Sequence, residues 1–326
     1  MAENRYLVTS TPHIRDNSTI KKLMFDVIAA LCPAALAGIY YFGWRAAALI
    51  ILSIAACVGF EYLFNKCARR EQTIADLSAV VTGLLLSFNL PPTAPFWMPF
   101  VGAFVAIVIV KQLFGGLGQN FMNPALGARA FLMAAYTPLM ASNWLSAAPL
   151  GIDAVTSSTP LTLIKEDASY MLNNSDILNA LIGNTAGCIG ETCAIALILG
   201  GAYLLIKKVI SWHIPVTYIA TVLILGLVIH RGGSGSIINA GLFEALSGGL
   251  MLGAFFMATD YASSPVTWLG RIIFGAGCGL LTVIIRNYGG YPEGVSYSIL
   301  LLNLCVPLLD KYCAPRVFGT KRRAQA

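Results

Sequence analysis

The sequence AAALIILSIAACVGF, residues 46–60, contains no charged side chain and a single hydroxyl group. It lies within an apolar run over residues 45–65, which has about the length that an α-helix needs to cross a bilayer. Runs of similar length recur along the chain, at 23–43, 73–90, 97–114, 124–141, 185–206, 214–230, 240–259, 267–286 and 294–310. These runs predict an all-α polytopic membrane protein with about ten transmembrane helices.

The composition of the chain also points to a membrane. Hydrophobic residues make up 57% of the 326 residues and charged residues only 11%, with a mean hydropathy of +0.74. Soluble domains carry about 25% charged residues, so one compact core could not remove this much apolar surface from water. The net charge of +6 is modest, and the basic residues follow the ends of the apolar runs. We therefore expect membrane lipid as a partner and exclude nucleic acid.

The basic residues predict the orientation of the chain. If the runs alternate across the membrane, most lysine and arginine residues fall on one side, including Lys111 near the end of the fourth run. The other side receives only Arg45, Lys165, Arg231 and Arg286. By the positive-inside rule we expect both termini in the cytoplasm. The 142–184 loop is then expected on the outer face of the membrane.

The two halves of the chain resemble each other. GLLLSFNLPP at 83–92 is similar to GLMLGAFF at 249–256, and each leads to a Gly-rich turn, at 114–117 and 288–291. The similarity predicts two five-helix inverted repeats with broken helices, although Gly-Leu-rich texture is common in membrane proteins. The predicted parts are a cytoplasmic segment 1–22, a first membrane half 23–141, an extracytoplasmic loop 142–184, a second membrane half 185–310 and a basic cytoplasmic tail 311–326.

The predicted outer loop carries the sequence DAVTSSTPL at residues 153–161. Small hydroxyl residues and a threonine ahead of a proline are typical of an attachment site, because a group joined to a side-chain oxygen needs an accessible hydroxyl. Thr156, Ser157 and Ser158 are small enough to admit a modifying enzyme, and Asp153 could position groups or bind a metal during the transfer. The alternative is a Ser/Thr-rich loop that only caps a short helix.

Three further motifs accompany this loop. They are TPHIR at 11–15, GQNFMNPA at 118–125 and MATDYASSP at 257–265. Together with the outer loop they resemble the RnfD/NqrB family, whose members are subunits of ion-pumping redox complexes. The chain is closer to the RnfD type, a subunit of the ion-translocating Rnf electron transport complex, because it lacks a long N-terminal extension.

The resemblance implies a covalent FMN on Thr159, joined through a phosphoester bond by a flavin transferase. Family members commonly have Gly-Ala or Ser-Ala before this threonine, where the present chain has Ser157 and Ser158. The implied function is electron relay within a complex that exchanges electrons between ferredoxin and NAD, coupled to Na⁺ or H⁺ transport. The implied partners are a membrane pair, an extracytoplasmic flavoprotein subunit, and cytoplasmic iron–sulfur and NAD-binding subunits. The implied location is the inner or cell membrane of a prokaryote, and the chain would not be catalytic alone.

The second and third motifs contain polar groups where helices begin or break: Asn120, Asn123, Thr259 and Asp260. Irregular backbone at membrane depth persists only where protein or a cavity satisfies it. The resemblance implies a second, non-covalent flavin, riboflavin, near these turns. Ordinary helix capping by asparagine and aspartate is the alternative.

Several charged residues fall within the apolar runs: Asp26, Asp76, Arg129, Glu191, Glu244 and Arg271. A charge at the bilayer centre costs about 2.5 to 3.5 kcal/mol, so such residues pair, line water or bind ions. Glu191 is a candidate for the ion pathway, because Gly187, Gly190 and Thr192 permit close approach of helices. Arg129 could contact a flavin phosphate or a neighbouring acid.

The sequence predicts no resident metal site. The three histidines are scattered, and the eight cysteines form no Cys-x-x-Cys pair. Cys188 and Cys193 are predicted on one helix at a spacing poor for shared coordination. We expect the cysteines in apolar runs to be small buried hydrophobic residues, with a cluster shared with a partner subunit as the alternative. The competing functions are a passive solute channel or transporter and a cofactor-free membrane anchor.

Overall fold

The computed structural model describes residues 18–141, 144–145, 159–166, 173–229, 237–291 and 293–315. Regular structure in this part of the chain is helical, which confirms the predicted all-α fold. The helices, numbered in chain order, are α1 Ile20–Phe42, α2 Trp44–Cys67, α3 Ser78–Phe88, α4 Met98–Gln112, α5 Pro124–Ala135, α6 Thr137–Ala141, α7 Pro160–Glu166, α8 Asn174–Ile182, α9 Ala194–Ile206, α10 His213–Ile229, α11 Ile237–Leu246, α12 Leu250–Met257, α13 Trp268–Tyr288 and α14 Val295–Tyr312. Residues 11–15, Asp153, Thr156, Ser157 and Ser158 lie outside the described residues.

Within the described ranges, three helices are long and apolar enough to cross a membrane, namely α1, α2 and α13. The pair α11 and α12 meets the same criterion as one span, although the chain bends by 56° between them. Shorter apolar helices, α3, α4, α5, α9 and α10, occupy further predicted runs. The chain is therefore a multi-pass membrane protein, while the predicted number of spans and the inverted repeats stay predictions.

The outer surface of the helices is strongly apolar. Ile206 is 81% exposed, and Trp44 and Val228 are each 74% exposed. Large apolar side chains on such a surface would associate or aggregate in water, but they are stable against lipid. The surface therefore supports the same conclusion as the helix lengths.

The helices pack in a similar order in the two halves of the chain. α2 contacts α3 and α4, and α10 contacts α11 and α13, while α1 lies along α9 and joins the halves. The fully buried side chains at these contacts include Leu31, Leu49, Phe88, Tyr218 and Phe274. This packing encloses the breaks in the helices, where the polar residues of the chain collect.

Two further predicted runs are interrupted, at 73–90 and 124–141. In the first, Leu77 adopts a left-handed conformation with φ of 65°, and Asp76 Oδ1 accepts a hydrogen bond from the Ser78 backbone N–H at 2.9 Å. Asp76 therefore lies in a turn before α3 and not within a continuous helix. In the second, α5 ends before Tyr136, because Pro138 has no N–H to continue the helical ladder.

The predicted run 185–206 is helical only from Ala194 onward. Residues 184–193 form an irregular connector that lies against the end of α3, where Ile189 N–H donates to Leu90 O and Gly190 N–H to Phe88 O, each at 3.1 Å. The approach requires glycine, because a Cβ on Gly190 would lie 2.3 Å from Phe88 Cβ. The predictions that Glu191 lies on a helix and that Cys188 and Cys193 share one are therefore wrong.

Two helices contain π-helical turns. In α4 these turns cover Phe104–Gln112, and in α12 they cover Gly253–Met257. The wider i→i+5 bonding is seen where Leu113 N–H donates to Val108 O at 3.0 Å and Ala258 N–H donates to Gly253 O at 2.7 Å. π-helical turns are frequent at functional sites because they displace side chains from the regular helical positions.

Two basic residues that the charge pattern predicts at the membrane flanks are buried in ion pairs. Lys111 is 1% exposed and pairs with Glu61 at 3.0 Å. Arg286 is 0% exposed and pairs with Glu244 at 2.7 Å. Neither residue marks a membrane face, so the prediction of sidedness depends on the other basic residues.

The eight cysteines all lie within the described residues and are not disulfide-bonded. Cys57, Cys188 and Cys278 are buried, as predicted for small hydrophobic residues. Cys32 and Cys305 are exposed on their helices, so the prediction of burial is wrong for them. An apolar run predicts only that a side chain avoids water, and lipid satisfies that requirement as well as a protein core does.

Candidate cofactor and ion sites

Thr159 stands immediately before α7 and is buried, with 5% of its surface exposed. Its hydroxyl oxygen accepts a hydrogen bond from Thr162 N–H at 3.3 Å and lies 2.7 Å from Thr162 Oγ1. This is the geometry of helix capping, which was the alternative to an attachment site. Either hydroxyl can be the donor in the second contact, so the bonding does not exclude attachment. The burial of Thr159, however, differs from the accessible hydroxyl that the sequence predicts.

Helix α7 is fixed to the second half of the chain. The Lys165 ammonium donates hydrogen bonds to the carbonyl oxygens of Gly289 and Tyr291, the latter at 3.1 Å. Leu161 packs in a small apolar cluster with Phe243 of α11. Thr159 is therefore held against the membrane helices.

A cavity opens beside the Thr159 side chain, and we refer to it as the Thr159 cavity. Its lining comes from α7, α8, α11 and the connector: Thr159, Leu161, Ala180, Thr185, Ala186, Glu191, Phe243, Leu246, Ser247 and Gly248. The cavity therefore joins the predicted attachment residue to the predicted ion-pathway residue and to the break between α11 and α12. No pattern in the sequence indicated that these features would meet.

Arg129 lies at the centre of a buried polar cluster. Its guanidinium donates hydrogen bonds to Asn89 Oδ1 at 2.7 Å and to Glu293 Oε2, and it contacts Cys188 Sγ at 3.7 Å. The Cys188 thiol in turn donates to the Asn89 carbonyl oxygen at 3.5 Å. The cluster thus joins α3, α5, the connector and the start of α14. The structure places Arg129 on a neighbouring acid, which was one of its two predicted partners.

The other charged residues of the apolar runs also have polar partners. Asp26 accepts from Tyr203, Asp76 from Ser78, and Glu244 from Arg286, while Arg271 donates to the Pro265 carbonyl oxygen. Glu191 differs from them in one of its two carboxylate oxygens. Its Oε2 atom is buried, and no donor among the described residues reaches it.

The ligand atoms of Cys188, Glu191 and Glu293 lie within 4.8 Å of one another. Among the described residues, these three side chains are close enough to one another to share a metal ion. The guanidinium of Arg129 already contacts both Cys188 and Glu293. The two carboxylates and this guanidinium leave one net negative charge, so a divalent ion would create an excess of buried positive charge and the donor set does not suit a divalent metal.

A second pocket contains all four residues of the predicted second flavin site: Asn120, Asn123, Thr259 and Asp260. We refer to it as the asparagine pocket. Its walls are largely apolar and include Val27, Val81, Leu85, Phe255 and Phe256. Both π-helical segments contribute to it, through Lys111 and through the two phenylalanines.

The four polar residues of the asparagine pocket differ in their bonding. Asn123 caps α5 through Ala125 N–H at 3.0 Å and donates to the Met257 carbonyl oxygen at 3.2 Å, and Thr259 donates to Phe255 O at 2.6 Å. Asn123 therefore follows the capping alternative, while Thr259 bonds back to the preceding turn of α12. Asn120 Oδ1 is buried with no partner among the described residues. Burial raises the pKa of the Asp260 carboxyl, which accepts one hydrogen bond from Ser263 in its turn.

The sequence reasoning missed a second buried network around Glu61. The Glu61 carboxylate accepts from Lys111 Nζ at 3.0 Å, Gln112 Nε2 at 3.0 Å and Thr73 Oγ1 at 2.7 Å. Lys111 also donates to Ser78 Oγ at 2.6 Å. The available signal was one acidic residue near the end of the apolar run 45–65. The sequence also did not indicate Asn89 or Glu293. Asn89 is uncharged, and Glu293 lies outside the apolar runs.

These features define a class of protein: a multi-pass, all-helical membrane protein with buried polar sites at the breaks in its helices. The model of the NQR2, RnfD, RnfE family matches residues 7–319. The chain therefore belongs to this family, and the predicted resemblance is confirmed.

Relatives of this chain match it over nearly its whole length. It is 48% identical to the D subunit of the Na⁺-translocating ferredoxin:NAD⁺ oxidoreductase complex of Acetobacterium woodii, over 100% of this chain and 99% of the relative. It is 45% identical to the D subunit of the proton-translocating ferredoxin:NAD⁺ oxidoreductase complex of Clostridium ljungdahlii, over 98% of each chain. It is 35% identical to the D subunit of the ion-translocating oxidoreductase complex of Aliivibrio salmonicida, over 97% of this chain and 99% of the relative.

Proposed function

We propose that this chain is the RnfD-type subunit of an ion-translocating ferredoxin:NAD oxidoreductase complex. The observation that carries the proposal is its 48% identity, over 100% of its length, to a relative that is named as such a subunit. The buried polar sites support it, because a subunit that only anchors a complex has no use for charges at the breaks of its helices. The chain would contribute electron relay and ion transport, while ferredoxin and NAD would bind other subunits.

The proposal includes covalent FMN on Thr159. The Thr162 N–H donates to Thr159 Oγ1, and the Thr162 hydroxyl, 2.7 Å from the same atom, could donate to a phosphoester oxygen there. The bound flavin would supply the redox chemistry, since flavins accept and release electrons. The residues of this chain would fix its phosphate end beside the Thr159 cavity. The roles of Asp153, Thr156, Ser157 and Ser158, and of a flavin transferase, remain part of the proposal.

A non-covalent flavin, riboflavin, in the asparagine pocket extends the proposal. Asn120 Oδ1 supports it, because a buried acceptor without a donor is costly unless a ligand provides one. The apolar walls, with Phe255 and Phe256, suit the faces of an isoalloxazine ring. Asn120 and Asp260 would hold the polar edge of the ring, while Asn123 and Thr259 would fix the backbone around it.

The inverted repeats and the membrane orientation are further parts of the proposal. Corresponding helices of the two halves make similar contacts. In the first half α2 contacts α3 and α4, and α5 contacts α4. In the second half α10 contacts α11 and α13, and α14 contacts α13. π-helical turns also occur in each half. With ten spans in two such repeats, both termini would be cytoplasmic and Thr159 extracytoplasmic, in an inner membrane.

Purification of the tagged chain from its native membranes tests the proposal. We expect other subunits to co-purify, and we expect the preparation to reduce NAD with electrons from reduced ferredoxin. A matched preparation from cells in which the tagged chain replaces Thr159 with alanine should contain the same subunits but lose this activity. A chain that purifies alone, without flavin and without ferredoxin-dependent activity, would instead support the channel alternative, which also suits discontinuous helices.

A further inference from the structure

We propose that the Glu191 carboxylate binds one exchangeable positive charge, a proton or Na⁺, at the junction of the Thr159 cavity and the Arg129 cluster. The inference rests on the proposed function, because it assigns the ion step of that function to one residue. Three observations support it: the position of Glu191, the balance of charge around it and the unpartnered Oε2 atom of its carboxylate.

Glu191 contacts both sites. It lines the Thr159 cavity together with Ser247 and Gly248, and on its other side its carboxylate approaches Cys188 and Glu293 within 4.8 Å. It lies in the irregular connector and not on a helix, so its position is set by tertiary contacts with α3 and the α11–α12 break. A side chain in this position can exchange a charge between the cavity and the buried cluster.

The charges around Glu191 do not balance. Two carboxylates, Glu191 and Glu293, face one guanidinium, Arg129, and that guanidinium is committed to Glu293. The nearby Arg286 is committed to Glu244, and its second amino group donates to the Ser247 carbonyl oxygen at 2.9 Å. The thiol of Cys188 is a hydrogen-bond donor and adds no positive charge. One negative charge is left over, and a buried uncompensated charge costs several kcal/mol.

The unpartnered oxygen shows where the missing charge would bind. Glu191 Oε2 is buried, and no donor among the described residues reaches it. Glycines flank the carboxylate on two sides: a Cβ on Gly187 would lie 3.6 Å from Glu191 Cδ, and one on Gly249 would lie 3.8 Å away. The absence of these side chains leaves space beside the oxygen. A proton needs only the oxygen, and Na⁺ could add carbonyl or water ligands from the cavity.

Sequence similarity to relatives does not identify whether Glu191 binds a proton or Na⁺. A relative named for Na⁺ translocation is 48% identical to this chain, and one named for proton translocation is 45% identical. The chemistry common to both ions is a single positive charge on a buried carboxylate. The experiment therefore measures both ions.

The test uses the complete complex in sealed vesicles, with reduced ferredoxin and NAD supplied and with radioactive Na⁺ uptake and internal acidification recorded together. We expect Glu191→Gln to reduce ion uptake to that of vesicles without the complex, because the neutral amide takes up neither a proton nor Na⁺. The matched control Glu71→Gln changes an exposed acid between α2 and α3 and should retain uptake. The ion that the wild type transports identifies the charge that Glu191 binds.

Two further measurements keep the inference testable. Because glutamine resembles the protonated acid, Glu191→Gln should keep the wild-type melting temperature, and a large drop would show a structural carboxylate and overturn the inference. Glu191→Asp should restore uptake with a weaker apparent affinity for Na⁺ or a shifted pH profile. Wild-type ion uptake by Glu191→Gln would also overturn the inference. If the wild-type complex itself lacks flavin and ferredoxin-dependent NAD reduction, the proposed function fails instead.

Discussion

Single residues in this chain show how a membrane protein keeps charge in its interior. Arg129 satisfies its guanidinium with Glu293, Asn89 and Cys188, and Glu61 satisfies its carboxylate with Lys111 and its neighbours. A buried pair is weak evidence of net stabilisation, but removal of one partner leaves an uncompensated charge. The two kinds of buried group, satisfied and unsatisfied, are expected to respond differently to substitution.

The Arg129–Glu293 pair provides the first prediction. Arg129→Met should destabilise the protein by about 3 to 5 kcal/mol, because it leaves the Glu293 carboxylate buried and unpaired. The double variant Arg129→Met/Glu293→Gln should be more stable than Arg129→Met alone. Thermal unfolding in detergent measures both. Additive losses in the double variant would show that the two side chains do not act as a pair.

The asparagines of the asparagine pocket provide the second prediction. Asn123→Ala removes the cap of α5 and should cost about 1 to 2 kcal/mol of stability. Asn120→Ala removes an unpartnered acceptor, so it should not destabilise the protein. It should weaken retention of the non-covalent flavin about tenfold, the effect of one lost hydrogen bond of about 1.4 kcal/mol.

Equilibrium dialysis of the purified complex against riboflavin measures the second effect, and thermal unfolding measures the first. The two variants control each other, since both shorten an asparagine in the same pocket. Equal flavin retention by wild type and Asn120→Ala would exclude a role for this amide in binding.

At the scale of elements, the breaks between helices determine the polar sites more than the helices themselves do. The bend of 56° between α11 and α12 exposes backbone carbonyls that Arg286 binds, and the connector 184–193 lies against the end of α3. Glycine permits each approach. The same breaks bring Glu191 and Gly249 together, so the geometry of the elements determines which residues share a site.

The third prediction concerns Gly190. A Cβ at this position would overlap Phe88, so Gly190→Ala should displace the connector and destabilise the protein by about 1 to 3 kcal/mol. Gly59→Ala is the matched control, because a Cβ there meets nothing within 4 Å and alanine favours the helix. Melting temperatures of the two variants in detergent compare them. A loss of stability in Gly59→Ala equal to that in Gly190→Ala would contradict the packing explanation.

The sequence predicted some of these elements and missed others for physical reasons. Apolar runs located α1, α2 and α13 within a few residues, because length and hydropathy are local properties. Hydropathy also predicted a helix over residues 185–193, but contact of Gly190 with Phe88 determines the conformation there. Arg129 was noticed as a charge, but its partner Glu293 lies 164 residues away, and local patterns carry no information on such pairs.

At the scale of the whole molecule, one helix joins two sites. α12 begins after Gly249, next to Glu191, and ends before Thr259, in the lining of the asparagine pocket. Family motifs predicted that Asn120, Asn123, Thr259 and Asp260 would act together, and all four line one pocket. The meeting of Thr159 with Glu191 required the fold. The arrangement suits a subunit that relays electrons and transports ions in one complex.

Peptide mass spectrometry of the chain purified from native membranes tests most directly whether it is a flavin-carrying redox subunit. Cleavage after lysine and arginine gives the peptide 130–165, which contains Thr159. We expect this peptide to carry the mass of FMN less one water, with fragmentation placing it on Thr159. Thr162→Ala should keep the adduct, and Thr159→Ala should lose it. An unmodified peptide from the native, fully assembled complex would contradict that central claim.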